Sequence, residues 1–291
     1  MKPFDIALYG FVVLGWSSSW LPLKWQVGTV APEVSLIWRF TLAGVLMFVL
    51  GWLTRRRLRL PLWGHGYAAL MGVFLFSTNF ALFYYASKTL ASGLLAVVFA
   101  SASLLNLFYS ALVFRTRIRL LGFGAALMGF GGIVLLYWPE ISGSRAALSA
   151  MGLCLLGTFS FCTGNMISTA AQRRDLPVIA ATAWGMLYGA GFMAIISLLR
   201  GHEFTIEVSW EYIGGGLWLA VFSSVVAFSA YLTLLGRIGA SRAAYATAVF
   251  PPFALGISTV VEGYQWTPFA FIGLPLVLLG IILINLRAAR A

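Results

Sequence analysis

The sequence predicts an all-α integral membrane protein of ten transmembrane helices, arranged as two inverted five-helix repeats. Three observations carry that expectation. The 291 residues are 61% hydrophobic and only 9% charged, with mean hydropathy +0.93, whereas a soluble domain is about 45–50% apolar and about 25% charged. The apolar runs are about 20 residues long, the length a helix needs to cross about 30 Å of hydrocarbon. The third observation is an internal echo: Asn79–Ile133 returns as Phe228–Ile282, a shift of 149 residues. At that shift Arg237 falls on Lys88, Ala240-Ser241 on Ala91-Ser92, Gly273 on Gly124 and Gly280 on Gly131.

Charge clusters and Pro/Gly breaks border the spans at 5–24, 34–54, 65–87, 92–114, 120–138, 148–172, 178–199, 210–235, 241–261 and 268–287. What is left over is too short for a separate soluble domain, so function must sit among the helices. Five spans per half is an odd number. Residues 1–143 (spans 1–5) and 144–291 (spans 6–10) therefore enter the membrane from opposite sides, related by a pseudo-twofold axis in its plane. The early parts match at a different offset, with Leu14–Ser19 of span 1 facing Leu156–Phe161 of span 6.

The basic residues set the orientation, because cytoplasmic loops collect Lys and Arg. With the N-terminus inside, Lys2, Arg55, Arg56, Arg57, Arg59, Arg115, Arg117, Arg119, Arg173, Arg174, Arg237, Arg242, Arg287 and Arg290 are cytoplasmic. Only Lys24, Arg39, Lys88, Arg145 and Arg200 fall to the other side. Both termini are thus expected in the cytoplasm. The net charge of +11 is then a topology signal, helped by anionic lipid headgroups, and calls for no nucleic-acid partner. The run Ile6–Trp20 lacks an Ala-x-Ala-like exit, so it reads as a retained span rather than a cleaved leader. Cys154 and Cys162 sit eight residues apart on one helix, about 12 Å at 1.5 Å per residue, too far for a disulfide.

Enzyme chemistry finds little support. His65 and His202 are the two histidines, so no metal set can be built from His and Cys, and no cofactor is expected. There is no Gly-x-Ser-x-Gly elbow and no carboxylate pair within a span. The glycines of spans 5 and 10, and Gly185-x-x-x-Gly189 of span 7, suit close helix packing better than a nucleotide loop. A channel would want charged rings or a carbonyl filter. All eight acids lie near an interface or in a loop, which leaves no evident intramembrane acid for proton coupling.

Polar stripes at helical spacing mark the interior. Span 4 carries Phe99, Ser103, Asn106 and Ser110; span 6 carries Thr158, Cys162, Asn165 and Thr169. Span 3 offers Phe76, Asn79 and Phe83, span 8 offers Ser224, Phe228 and Tyr231, span 1 places Trp16 near the midplane, and span 9 adds Tyr245. Singly, such residues glue helices together; converging from both halves, they favour a cavity. The candidate substrate-binding residues are Trp16, Asn79, Phe83, Phe99, Ser103, Asn106, Thr158, Asn165, Ser224, Phe228 and Tyr245. Pro251 and Pro252 would bend span 9 and gate it, since proline removes a backbone bond. Among the aromatics, Trp25, Trp52, Trp63, Trp138, Trp210 and Trp266 fit interfacial belts. Trp16, Phe99, Phe161, Phe228 and Phe250 lie too deep for that and would suit a flat apolar ligand.

Several of these residues also carry a resemblance. Gly15-Trp16-Ser17-Ser18 followed by Lys24, Arg39-Phe40, the run Tyr84–Ser92, the span-9 proline with Glu262-Gly263, and the closing glycine helices resemble the EamA repeat of the drug/metabolite transporter superfamily. The resemblance covers essentially the whole chain and is strongest to the aromatic amino-acid exporters of the YddG type. Two departures stand out: Arg115 occupies the place that Glu262 fills in the second half, and Ala102-Ser103 lies opposite Pro251-Pro252. The resemblance implies a secondary transporter of the bacterial-type inner membrane. It would export small amphipathic metabolites, aromatic or other neutral amino acids, down their gradient by alternating access. A proton-coupled drug/metabolite exporter is the alternative, an intramembrane enzyme a more distant one. The partners expected are a small-molecule substrate and membrane lipids, with the protein a monomer or weak homodimer.

Overall fold

Prolines and serines set where the helices begin. The computed structural model describes residues 2–114, 120–238 and 245–288. Pro3 opens α1 (Pro3–Ser17) and Pro32 opens α3 (Pro32–Leu53), the first-turn position where the missing N–H has no helical partner to lose. The Ser144 and Ser209 hydroxyls accept from Ala147 N and Tyr212 N, both at 3.2 Å, and so cap α9 (Arg145–Gln172) and α11 (Trp210–Trp218). Gly201 at φ +69° stops the chain just past α10 (Val178–Leu199), in the left-handed region that glycine adopts without a Cβ penalty.

The remaining elements are α2 (Trp20–Trp25), α4 (Leu62–Val73), α5 (Asn79–Ser87), α6 (Ser92–Ala100), α7 (Ala102–Phe114), α8 (Leu120–Ser142), α12 (Phe228–Ile238), α13 (Tyr245–Glu262) and α14 (Pro268–Ala288). No strand occurs among the described residues. Seven helical segments are long and apolar enough to cross a membrane: Pro3–Trp25, Pro32–Leu53, Leu62–Ser87, Leu120–Ser142, Arg145–Gln172, Val178–Leu199 and Trp210–Ile238. Three shorter apolar helices, Ser92–Asn106, Val249–Glu262 and Pro268–Leu283, also occur among the described residues. Trp52 and Trp210 are well exposed, as are Leu62, Leu112 and Val260, so the outer surface is apolar in the way lipid contact requires.

Two long segments change winding part-way along their length. Leu62–Ser87 contains a π-helical turn at Phe74–Thr78, and Trp210–Ile238 one at Leu219–Ala227. The first ends at Thr78 and the second at Ala227, which the 149-residue shift superimposes. Each turn hands over directly to a residue of the interior, Asn79 or Phe228. The sequence carries no sign of them. In α13, by contrast, helical winding runs through Pro251 and Pro252, a ladder short of two N–H donors. The proline-free counterpart is the one that breaks, at Ser101 between α6 and α7.

Glycines let backbones touch. A Cβ on Gly132 would stand 2.7 Å from the Gly273 carbonyl, and one on Gly280 2.7 Å from that of Ala125, so α8 and α14 meet main chain to main chain. Gly72 meets Gly189 in the same way. Gly124 and Gly131, which the repeat aligns with Gly273 and Gly280, face open space instead. Of the in-register pairs, only the second-half members, Gly273 and Gly280, are therefore in contact.

Ion pairs tie the helix ends. At one end Lys24 Nζ meets Glu262 Oε1 at 2.7 Å, while the Ser92 amide and hydroxyl and the Ser258 hydroxyl donate to Oε2. Nearby, Arg200 Nη1 meets Glu33 Oε1 at 2.5 Å beside the Tyr85 hydroxyl. At the opposite end Arg237 Nε meets Asp5 Oδ1 at 2.8 Å. Asp5 and Glu33 each sit in a first helical turn, where the macrodipole favours negative charge. The acids are peripheral, as the sequence suggests, yet Asp5 and Glu33 are buried there.

Candidate functional site

Trp16, at the end of α1, is the hub of the interior. Its ring centroid lies 5.9 Å from Phe99, 6.1 Å from Phe161, 5.3 Å from Phe228, 4.8 Å from Tyr231 and 6.2 Å from Phe250, four of these being edge-to-face contacts. The deep aromatics, from five separate regions of the chain, thus form one cluster. Trp20, one turn on across the Ser18-Ser19 break, extends it to Phe83 (5.3 Å) and Phe99 (5.4 Å). Such pairs add about 0.5–1.5 kcal/mol each beyond area burial.

A cavity opens against these rings, walled by Trp16, Trp20, Phe80, Phe83, Phe99 and Phe228, with Ser19, Leu23, Arg39, Asn79 and Ser223. The rings leave it a void of about 20 Å3, room for about one water molecule. A second cavity of about 200 Å3 is lined by Gln26, Trp38, Arg39, Leu42, Ile206, Tyr212, Ile213, Gly216 and Leu217. Arg39 belongs to both walls.

Arg39 lies seven residues inside α3, about 10 Å along the helix, and is 2% exposed. The sequence reading places it among the border charges; the structure moves it into the interior. Its Nε donates to Ser224 Oγ at 3.1 Å and its Nη2 to Ser223 Oγ at 3.3 Å. The guanidinium stacks over Phe80 at 4.3 Å and Phe40 at 5.0 Å. The Tyr84 hydroxyl lies against the guanidinium, close enough to interact with it, although Arg39 Nη1 makes no hydrogen bond of good geometry. No carboxylate among the described residues pairs with it.

The expected site residues divide into four groups. Trp16, Asn79, Phe83, Phe99 and Phe228 line the aromatic cavity, and Ser224 supports it by accepting from Arg39. Asn165 lies a layer behind, donating from Nδ2 to Tyr231 Oη at 3.2 Å. Ser103 and Thr158 are buried and Asn106 half-buried, but none of the three lines it. The Thr158 hydroxyl turns back to its own helix, donating to Cys154 O at 2.8 Å. The side chain of Tyr245 lies outside the described residues, while Pro251 and Pro252 sit in α13 beyond the Trp16 cluster's Phe250. The amides of Asn79 and Asn165 each leave Oδ1 without a partner.

Sequence reasoning does not single out Trp20, Phe80, Ser223 or Arg39 as site residues. Trp20 follows Trp16 at i+4, and an arginine well inside an apolar run is a functional-site signal in its own right. His65 is accounted for locally, its Nδ1 2.8 Å from Tyr188 Oη and its ring against Trp184. Both cysteines are free and buried.

This arrangement has counterparts among known proteins. The chain is 27% identical to the uncharacterized inner membrane transporter YedA of Escherichia coli K12, over 98% of this chain and 92% of that protein. It is 23% identical to the protein PagO of Salmonella typhimurium, covering 95% and 91%. A Salmonella typhimurium protein named "Probable amino-acid metabolite efflux pump" is 24% identical over 93% and 91%. One crystal structure shares the fold with a TM-score of 0.72 at 19% identity, over 100% of this chain and 99% of that one. The sequence profile of the EamA-like transporter family matches twice, at residues 6–138 and 148–286. A membrane-embedded helical chain matched almost end to end by that profile belongs to the EamA-like transporter family, within the drug/metabolite transporter superfamily.

Proposed function

We propose that this transporter exports small amphipathic metabolites, aromatic or other neutral amino acids, by alternating access and down their own gradient. The observation that carries the reading is the aromatic cavity beside Asn79, a flat apolar slot with a polar rim in the middle of the helices. The relative named as an amino-acid metabolite efflux pump points the same way. In this reading ten spans form two inverted halves, 1–143 and 144–291, with both termini cytoplasmic. The coincident π turns and the twofold profile match support the halves. The ion pairs at both ends, Lys24–Glu262 with Glu33–Arg200 and Asp5–Arg237, then hold an occluded state. Substrate entry must open one end and part the rings. Pro251 and Pro252, with two backbone donors missing, supply the give.

A proton-coupled drug/metabolite exporter is the second reading, favoured by Glu262, an acid shared between Lys24, Ser92 and Ser258. Purified protein in liposomes decides between them. On the first reading labelled aromatic amino acid equilibrates across the bilayer with no pH difference imposed. Net flux that appears only with a proton gradient would replace it with the second, and no flux of any aromatic or neutral amino acid would sink both.

A further inference from the structure

We infer that Arg39 is the receptor for a substrate carboxylate, so that the transported molecule is an aromatic carboxylate and not an organic cation. The inference rests on the proposed aromatic site and names the chemistry at its polar end. A guanidinium buried without a carboxylate is expensive, and such charges are normally paired or hydrogen-bonded throughout. Here two serine hydroxyls and two ring faces hold the group, yet Nη1 has no partner. The guanidinium belongs to the walls of both cavities, so it is met both in the roomier chamber and at the ring slot. A carboxylate takes a guanidinium fork in two parallel bonds, and its charge supplies what the interior lacks.

Two more groups of the same cavity are unpartnered. Trp20 Nε1 is a buried donor without an acceptor, and Asn79 Oδ1 a buried acceptor without a donor. A carboxylate shared by Arg39 and Trp20 Nε1, with an ammonium on Asn79 Oδ1, satisfies all three. The Trp16, Phe99 and Phe228 rings then take the apolar body. This complement describes an aromatic α-amino acid. The uncompensated positive charge repels amines that carry no carboxylate.

Three indoles separate the contributions: L-tryptophan, indole-3-propionate lacking the amine, and tryptamine lacking the carboxylate. Each is titrated into detergent-purified full-length protein, with melting temperature recorded alongside. Wild type should bind tryptophan at least about tenfold tighter than tryptamine, with indole-3-propionate between them. Arg39→Gln should weaken both carboxylates by about 10- to 100-fold, the worth of a charge-assisted bond, and leave tryptamine bound more tightly than to wild type, since the charge that repels its amine is gone. Arg39→Lys keeps the charge but loses the fork, so it should retain the carboxylate preference with weaker tryptophan binding. Should Arg39→Gln fail to fold, the wild-type ranking and the Lys variant decide. Tryptamine bound as well as tryptophan, or all three weakened alike by a folded Arg39→Gln, overturns the assignment of Arg39 and leaves the aromatic site standing. No binding of any indole overturns both.

Discussion

Asn79 and Asn165 look alike in the sequence, and their surroundings assign them different work. The Asn165 amide donates to the buried Tyr231 hydroxyl, so Asn165→Ala strands a polar group and should destabilise by about 1–3 kcal/mol with substrate ranking intact. Asn79 makes only a long 3.4 Å bond to Leu75 O of its own helix turn. Asn79→Ala should therefore melt near wild type and bind tryptophan about tenfold more weakly. Melting temperature and titration on the same preparations check both; parallel stability losses would reduce Asn79 to helix glue. Residue types were legible where spacing repeats, as in Asn79-Phe83 and Ser224-Phe228-Tyr231. Arg39 was not, because a charge near a span border and a charge inside one differ only in depth. Thr158 fits the polar stripe, but its hydroxyl is satisfied by the preceding turn, a local bond that helical spacing cannot reveal.

At the scale of helices, the spans were readable because about 20 apolar residues have no other stable place. Their internal deformations were not. A π turn inserts one residue into the winding and is selected by what packs around it; Phe74–Thr78 and Leu219–Ala227 differ wholly in sequence yet end at equivalent positions. Likewise the glycine pattern announced close packing, but whether Gly131 or Gly132 meets α14 is a matter of helix rotation, settled in favour of Gly132. The prolines of α13 sit in continuous helical winding beside Phe250, a ring of the Trp16 cluster. If they provide the hinge, replacing both with alanine restores two backbone bonds and stiffens α13. Turnover in liposomes should fall several-fold while the tryptophan dissociation constant changes less than about twofold. Unchanged turnover would favour rigid rocking of the two halves.

For the whole molecule, the proposed orientation rests on charge alone and is open to a direct check. Single cysteines at Ser142 and Gly201, in a background without Cys154 and Cys162, should react with an impermeant maleimide added outside cells; labelling from the cytoplasmic side would invert the assignment. The larger claim is that transport passes through the aromatic cavity, whose void of about 20 Å3 is too small for any substrate until its rings part. Trp16 touches five aromatic neighbours, two of them in the cavity wall, and Phe228 touches four, so trimming either must reshape the slot. The most direct measurement is uptake of a panel of labelled aromatic and aliphatic neutral amino acids into liposomes holding wild type, Trp16→Leu or Phe228→Leu. Wild type should favour the aromatic members, and each variant should lose that preference by about tenfold or more while still moving aliphatic ones. An unaltered ranking in folded variants would contradict the account.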